Sequence, residues 1–186
     1  VETQKEAEAF SSRVVYDAST SRVDQRNLGF VTIDGKTARD FDDAVFANSN
    51  GDGSWQVYVA IADVAHYVRP GSTIDQEAYL RGTSVYFPTH AIPMLPENLS
   101  NNLCSLKPDV NRFTLTCEML IDSTGWVQSY RIYESVIRSR ARLVYDDVAE
   151  FLDTGQTRTI RNKEILDNLI VMNEVAKVLQ EKRTKR

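Results

Sequence analysis

Two cysteines, Cys104 and Cys117, and two histidines, His66 and His90, are all the soft or borderline metal ligands in 186 residues. A structural zinc site takes about four such ligands at short spacing, so a zinc-built domain is excluded. A disulfide framework is equally out of reach, and both thiols read as reduced and structural, which suits a cytoplasmic protein. No apolar run approaches the roughly 18 residues that a membrane span requires. The opening "VETQKEAEAF" has no apolar stretch of the signal-peptide kind and is polar and helix-prone. An initiator methionine is missing too, and the sequence stops in the charged run "EKRTKR". Both ends are expected to be cuts in a longer protein. Finally, positive charge is in short supply: 22 Lys and Arg against 26 Asp and Glu give a net charge of −4. That argues against a protein that coats a nucleic-acid duplex. It leaves open an enzyme whose acidic site gathers metal ions, because the ions bring the positive charge with them.

What is present is an ordinary soluble composition, 42% hydrophobic and 26% charged, in a chain long enough for one domain with a core. Residues 2–10 predict a short helix, and "STSRVDQRNLG" a polar connecting loop. "GFVTID" predicts a strand ending on Asp34. "DAVFA" and "SWQVYVAIAD" predict two more, joined through "NSNGDGS", whose Asn-Gly and Asp-Gly pairs are strong hairpin chemistry. In the second of these, Trp55, Val57, Val59 and Ile61 share one face, and small Ala60 and Ala62 on the other imply close packing. After Pro70-Gly71, Ser72 or Thr73 can cap a helix through "IDQEAYLR" that Gly82 terminates. "HAIPMLPENLSNNLCSLKPDV", with three prolines and three asparagines, reads as mostly loop. "RFTLTCEMLID" and "WVQSYRIYESVIRSRARL" predict a long antiparallel hairpin about "STG". The rest is helical: "YDDVAEFLD", then "RNKEILDNLIVMNEVAKVLQEKR", with Ile165, Leu169, Met172, Ala176 and Leu179 on one stripe. Strands first and helices last, without βαβ alternation, predict an α+β fold with a mixed, mainly antiparallel sheet and flanking helices.

The densest chemistry lies in "TIDGKTARDFDDAVF", where Asp34, Asp40, Asp42 and Asp43 fall within ten positions. Asp34 ends one strand and Asp42 and Asp43 begin the next, so the short link between them lets all four carboxylates meet at one sheet edge. Two readings stand side by side. The cluster is a solvated acidic turn with Lys36 and Arg39 as surface partners, or it holds cations. Crowded carboxylates repel unless a cation sits among them. Mg²⁺ suits such a set, taking carboxylate oxygens, water and substrate phosphate; two such ions can activate water and stabilise a leaving oxygen.

Other candidates are weaker. "NSNGDG" begins like an EF-hand calcium loop, but position twelve would be Val59 instead of a bidentate Glu, so it is a turn. "DFDDAV" resembles the Asp-x-Asp signature of haloacid-dehalogenase phosphatases, yet "KTAR" precedes it where an apolar strand belongs. Asp63 ends a strand, either as an outer acid of the site or as a cap for the following turn. His66 is a packed histidine or a metal ligand. Tyr86 and Phe87 are core aromatics, or one of them stacks on a nucleobase. Arg131 lies on the long hairpin; Arg138, Arg140 and Arg142 share a face if the strand stays regular, where they would track a phosphate backbone or form an ordinary charged surface.

Several blocks in order carry a resemblance: "FVTIDGKTARDFDDAVF", "VYVAIADVAHYVRPG", "RGTSVYFPTHAIPMLPENLSNNLCSLKP" and "YESVIRSRARLVYDDV". Together they resemble the first half of the catalytic (RNB) domain of the ribonuclease II/ribonuclease R family, and "TARDFDDAV" and "RGTSVYFP" are closest to the ribonuclease R branch. The resemblance implies residues 1–21 as a linker from a preceding domain and residues 22–186 as the incomplete amino-terminal part of the RNB domain. It implies a processive 3′→5′ exoribonuclease that hydrolyses single-stranded RNA to nucleoside 5′-monophosphates with Mg²⁺. Carried over by motif, Asp34, Asp40, Asp42 and Asp43 organise the metal, Asp42 is the acid most critical for hydrolysis, and Tyr86 packs against the 3′-terminal nucleotides. The family's second half, which supplies a catalytic arginine and a second stacking aromatic, is not matched. Cold-shock and S1 domains are expected to flank the domain in the full-length protein. The fragment is therefore expected to fold, to be inactive alone and to expose apolar surface. A non-catalytic RNA-binding or regulatory module of the same fold is the alternative, and a metal-dependent phosphatase a third reading.

Overall fold

Turn chemistry sets the frame. In the computed structural model, which describes residues 2–11 and 13–184, Gly51 and Gly53 take φ of 81° and 85° in the turn between β3 (Asp43–Ser49) and β4 (Trp55–Ala62). The Asn50 N–H donates to the Ser54 carbonyl at 3.0 Å and closes this hairpin. A second turn, with Gly125 at φ 79°, joins the long strands β7 (Asn111–Ile121) and β8 (Val127–Arg138). These pairings, with β1 (Val23–Asp24), β2 (Val31–Asp34) and β9 (Ala141–Val144), build a seven-stranded sheet in the order β1-β8-β7-β4-β3-β2-β9. The sheet is mixed and mainly antiparallel, as the strand pattern predicts; among the described residues its parallel strand pairs are β1 with β8 and β2 with β9.

Helices cover both faces. On one side lie α1 (Glu2–Glu8), α2 (Val64–Tyr67), α3 (Thr73–Arg81) and a π-helical turn, Leu99–Leu103. Their core unites Ala7, Ile74, Leu99 and Leu103 with Phe30, Phe41, Ala44, Ala60 and Ala62. The three sheet alanines let the helices approach closely, the packing that Ala60 and Ala62 implied. The leading segment takes part in this core: Ala7 is fully buried, and Glu6 accepts from the backbone N–H groups of Thr73 and Ile74 at the start of α3. Ser72 caps α3 by accepting from Asp75 N–H at 3.1 Å, and Gly82 ends it at φ 71°.

On the other side α4 (Tyr145–Thr154) and α5 (Lys163–Thr184) pack over β2, β3 and β9, through Val31, Leu143, Val148, Phe151, Ile165 and Leu169. The expected stripe of α5 needs one correction. Ile165, Leu169 and Met172 face the sheet, but the line continues through Val175 and Val178, while Ala176 and Leu179 are exposed. The end of the helix is turned toward Trp55, Ile121 and Gly125, whose carbonyl accepts from Lys182 Nζ at 2.9 Å. The face of β4 shared by Trp55, Val57, Val59 and Ile61 is thus covered at one end only: Trp55 is buried and Ile61 is 46% exposed. No helix among the described residues is long and apolar enough to cross a membrane.

Candidate active site

The four aspartates lie on the end of β2, the start of β3 and the loop between them. Asp34 is the last residue of β2, and Asp43 the first of β3, held opposite Ile61 of β4. Asp42 stands one residue before, its carbonyl accepting from Ala62 N–H at 2.9 Å. The side chains feel one another. Burial first, then the charges of Asp43 and Asp40, push the Asp34 carboxyl above its ordinary range, against the pull of Arg142. Asp42 is open at the surface, yet enough protein surrounds its carboxyl to raise it as well, with Asp40, Asp43 and Asp34 adding in that order. Asp34 Oδ2 is buried and has no hydrogen-bond partner.

Ion pairs do not relieve this charge. Among the described residues neither Lys36 nor Arg39 pairs with any of the four carboxylates. The donor set, all hard oxygen with one buried orphan, suits Mg²⁺ chemically. The carboxylates remain splayed: among the described residues no three acidic, imidazole or thiol groups close around one point. A cation there would draw part of its shell from water or from a substrate phosphate, which is the habit of Mg²⁺.

Asp40 is turned toward Tyr86, whose hydroxyl donates to Asp40 Oδ2 at 2.9 Å. Tyr86 belongs to a separate two-stranded ribbon, β5 (Val85–Tyr86) with β6 (Ala91–Ile92). It is 69% exposed, and Phe87 is half-exposed and stacked on His90 at 4.9 Å, so neither ring is a core aromatic.

Asp63 caps α2, accepting from His66 N–H at 3.1 Å, and pairs with buried Arg22 at 2.5 Å. His66 sets its Nδ1 3.3 Å from the same guanidinium and its ring edge-on to Tyr67 and Phe113, the environment of a packed histidine. The shared arginine face does not form, because the strand breaks at Ser139, which bridges to Pro108. Arg138 donates to Asn111 Oδ1, Arg140 to the carbonyls of Arg26 and Asn27, and Arg142 Nη2 to those of Gly35 and Lys36 at 2.6 and 2.9 Å. Arg131 lies on Glu118 at 2.6 Å. Sequence reasoning missed that Arg142 clamps the loop between the acids, and that Ser105 does so too; their partners are backbone atoms, which leave no pattern in a sequence. Cys104 is buried and its thiol is pushed up to about 12 by burial, consistent with a structural role.

Compared with known proteins, residues 22–186 match the model of the RNB domain. The ribonuclease R of Vibrio parahaemolyticus is 47% identical over 183 residues, covering 98% of this chain and 22% of that protein. The solved Mycoplasma genitalium RNase R in complex with ribose-methylated single-stranded RNA superposes with a TM-score of 0.90 at 34% identity, over 98% of this chain and 28% of that one. A yeast pseudonuclease, 23% identical over 89% of this chain and 20% of its own, shares the fold with a TM-score of 0.73. The chain thus spans about a quarter or less of the ribonuclease R relatives it matches.

Proposed function

This chain belongs to the RNB-domain family, and from that membership we propose that it is the amino-terminal part of the catalytic domain of a 3′→5′ exoribonuclease acting on single-stranded RNA. Residues 22–186 form that part and residues 1–21 lead into it. The observation that carries the proposal is the uncompensated carboxylate cluster with a buried, unpartnered Asp34 oxygen, lying beside an exposed aromatic. Asp34, Asp40, Asp42 and Asp43 would hold Mg²⁺, which supplies a polarised phosphodiester and an acidified water. Asp42 is the acid on which hydrolysis depends, and Tyr86 offers its ring to the terminal base. Nucleoside 5′-monophosphates are the product. Single-stranded RNA is the partner, with cold-shock and S1 domains flanking the RNB domain in the whole protein.

Asp42→Asn in the full-length protein is expected to abolish release of mononucleotides while RNA affinity stays near that of the parent. A neutral amide replaces a metal-holding carboxylate poorly, whereas most affinity comes from phosphate contacts elsewhere. Turnover of labelled single-stranded RNA and a filter-binding constant test this together; near-normal turnover sinks the assignment of Asp42. The splayed carboxylates favour a second reading, an RNA-binding module without turnover. A full-length parent that binds RNA and releases no mononucleotide in Mg²⁺ would establish that reading instead.

A further inference from the structure

The loop from Gly35 to Phe41 carries Asp40 and delivers Asp42, yet it contains no regular structure of its own. Something outside must fix its path. Arg142 holds its start, and one atom holds both neighbours of Asp40: the hydroxyl of Ser105, a residue with no solvent exposure. Ser105 Oγ accepts from Phe41 N–H at 3.1 Å and donates to the Arg39 carbonyl at 2.9 Å. Its two partners are the neighbours of Asp40 on either side, and Phe41 immediately precedes Asp42. Leu106 N–H extends the grip, donating to the Phe41 carbonyl at 2.8 Å.

Ser105 is itself held from behind. It leaves the π-helical turn, a rare conformation often found at functional sites, with its N–H donating to the Asn102 carbonyl at 3.0 Å. Arg112, 3% exposed, donates from Nε to the Ser105 carbonyl at 2.8 Å and from Nη2 to Asn102 Oδ1 at 3.0 Å. A buried arginine thus spends its donors on fixing the serine that fixes the acid loop. Buried hydrogen bonds of this kind have no water to replace them, so removing one partner leaves the other unpaired.

We propose that Ser105 is a positioning residue for the metal-holding carboxylates: its hydroxyl sets the backbone around Asp40 and so the placement of Asp40 and Asp42 toward a divalent cation. This rests on the exoribonuclease reading for the cation, and on the hydrogen bonds above for the residue. Ser105 touches neither RNA nor metal. Its effect is transmitted through the amide of Phe41 and the carbonyl of Arg39.

The test is Mn²⁺ binding to the full-length protein without RNA, followed by the electron paramagnetic resonance of free Mn²⁺. Parent, Ser105→Ala, Ser105→Thr and Asp42→Asn are compared. Outer-shell substitutions cost about 10–100-fold in metal affinity, and Ser105→Ala is expected to weaken Mn²⁺ binding by that factor. Its RNA affinity in EDTA should be unchanged, which shows the fold intact, and Ser105→Thr, which keeps the hydroxyl, should bind Mn²⁺ as the parent does. A merely structural serine would lower the melting temperature and leave Mn²⁺ affinity alone, and that result overturns the proposal. So does a threonine variant that folds and is weakened as much as the alanine one. Should Ser105→Ala lose RNA affinity in EDTA, Ser105→Cys, with a similar side chain and weak hydrogen bonds, is read in its place by the same criteria. If parent and Asp42→Asn alike bind no Mn²⁺, the metal-site reading fails and this proposal with it. If Asp42→Asn loses the ion and Ser105→Ala does not, the positioning role alone fails.

Discussion

Tyr86 shows how much one side chain can be asked to do. Its ring faces solvent and is free to stack, while its hydroxyl is tied to Asp40. The two roles separate by substitution. Tyr86→Ala removes both and is expected to weaken the grip on an RNA 3′ end by about 1–3 kcal/mol, the usual scale of one base–aromatic stack. Tyr86→Phe keeps the ring and should keep that affinity, changing only the freedom of Asp40. Binding of short oligonucleotides and the length of the undegraded end product distinguish them; equal losses for both variants would remove stacking as the cause. Asp42 bears a different cost. Its carboxyl titrates above the ordinary range, through burial first and the three neighbouring carboxylates next, so the fold disfavours its ionised form. A group raised in this way costs no stability while protonated in both states, and costs the native state as pH climbs through the folded value. Asp42→Asn is therefore expected to melt above the parent in EDTA at neutral pH. The difference should vanish on acidification below the ordinary Asp value of about 3.9, where the group is protonated in both states. Thermal melts at the two pH values check this, and a lower melting temperature for the Asn variant at neutral pH refutes it.

Elements marked by their own end signals were legible in the sequence. Ser72 and Gly82 bound α3 where their chemistry places them, and the Asn-Gly and Asp-Gly turn gives the β3–β4 hairpin. Asp34 and Asp43 at facing strand ends followed from those strands. What could not be read depends on distant partners. Val23 and Asp24 look like loop residues and become a strand only because β8 lies parallel to them. "NLSNNLCSL" looks like loop and becomes a π-helical turn because Leu99 and Leu103 are drawn into the core and Arg112 secures its exit. The arginine face failed for the same reason: Ser139 pairs with Pro108 and breaks the alternation. The β7–β8 turn carries a further prediction. Gly125 has φ 79°, and a Cβ there would meet the Val178 carbonyl oxygen of α5 at 3.1 Å and Val178 Cγ1 at 3.2 Å. Left-handed backbone strain in a non-glycine residue costs about 1–3 kcal/mol. Gly125→Ala should cost at least the lower end of that range in urea unfolding, with the loss centred on the packing of α5 against Trp126, over which Lys182 Nζ sits 3.4 Å from the ring centroid. An unchanged midpoint would mean that α5 yields freely and contributes little here.

At the scale of the molecule the sheet is finished on one side and bare on part of the other. Ile61 pairs with Leu115, Val59 with Cys117, and Cys117 in turn with Ile132, in adjacent rows of the face that α5 leaves uncovered. Ile61, Leu115 and Ile132 are 46%, 45% and 58% exposed, and Tyr130 in the next row 70%. Contiguous apolar surface of this kind is normally covered by a partner. Expressed by itself, the chain is expected to fold, to associate through this face and to release no mononucleotides from RNA. Ile132→Lys should return it to a monomer in sedimentation without restoring turnover. A monomeric parent, or one that degrades RNA at enzyme-like rates, contradicts this. The two parallel pairings also impose an order in time. Val23 lies beside Ser135, so β1 cannot dock until β8 exists, and β2, which β3 flanks on one edge, gains its second neighbour only when Ala141 arrives beside Val31. Translation proceeds at about 5–20 residues per second, so a nascent chain spends several seconds with β2 emerged and β9 unmade. Arg142, which clamps the loop at Gly35 and Lys36, arrives in that last portion. On the ribosome, itself built of RNA, the acid loop of a growing chain stays unclamped by Arg142 until its synthesis has moved well past it.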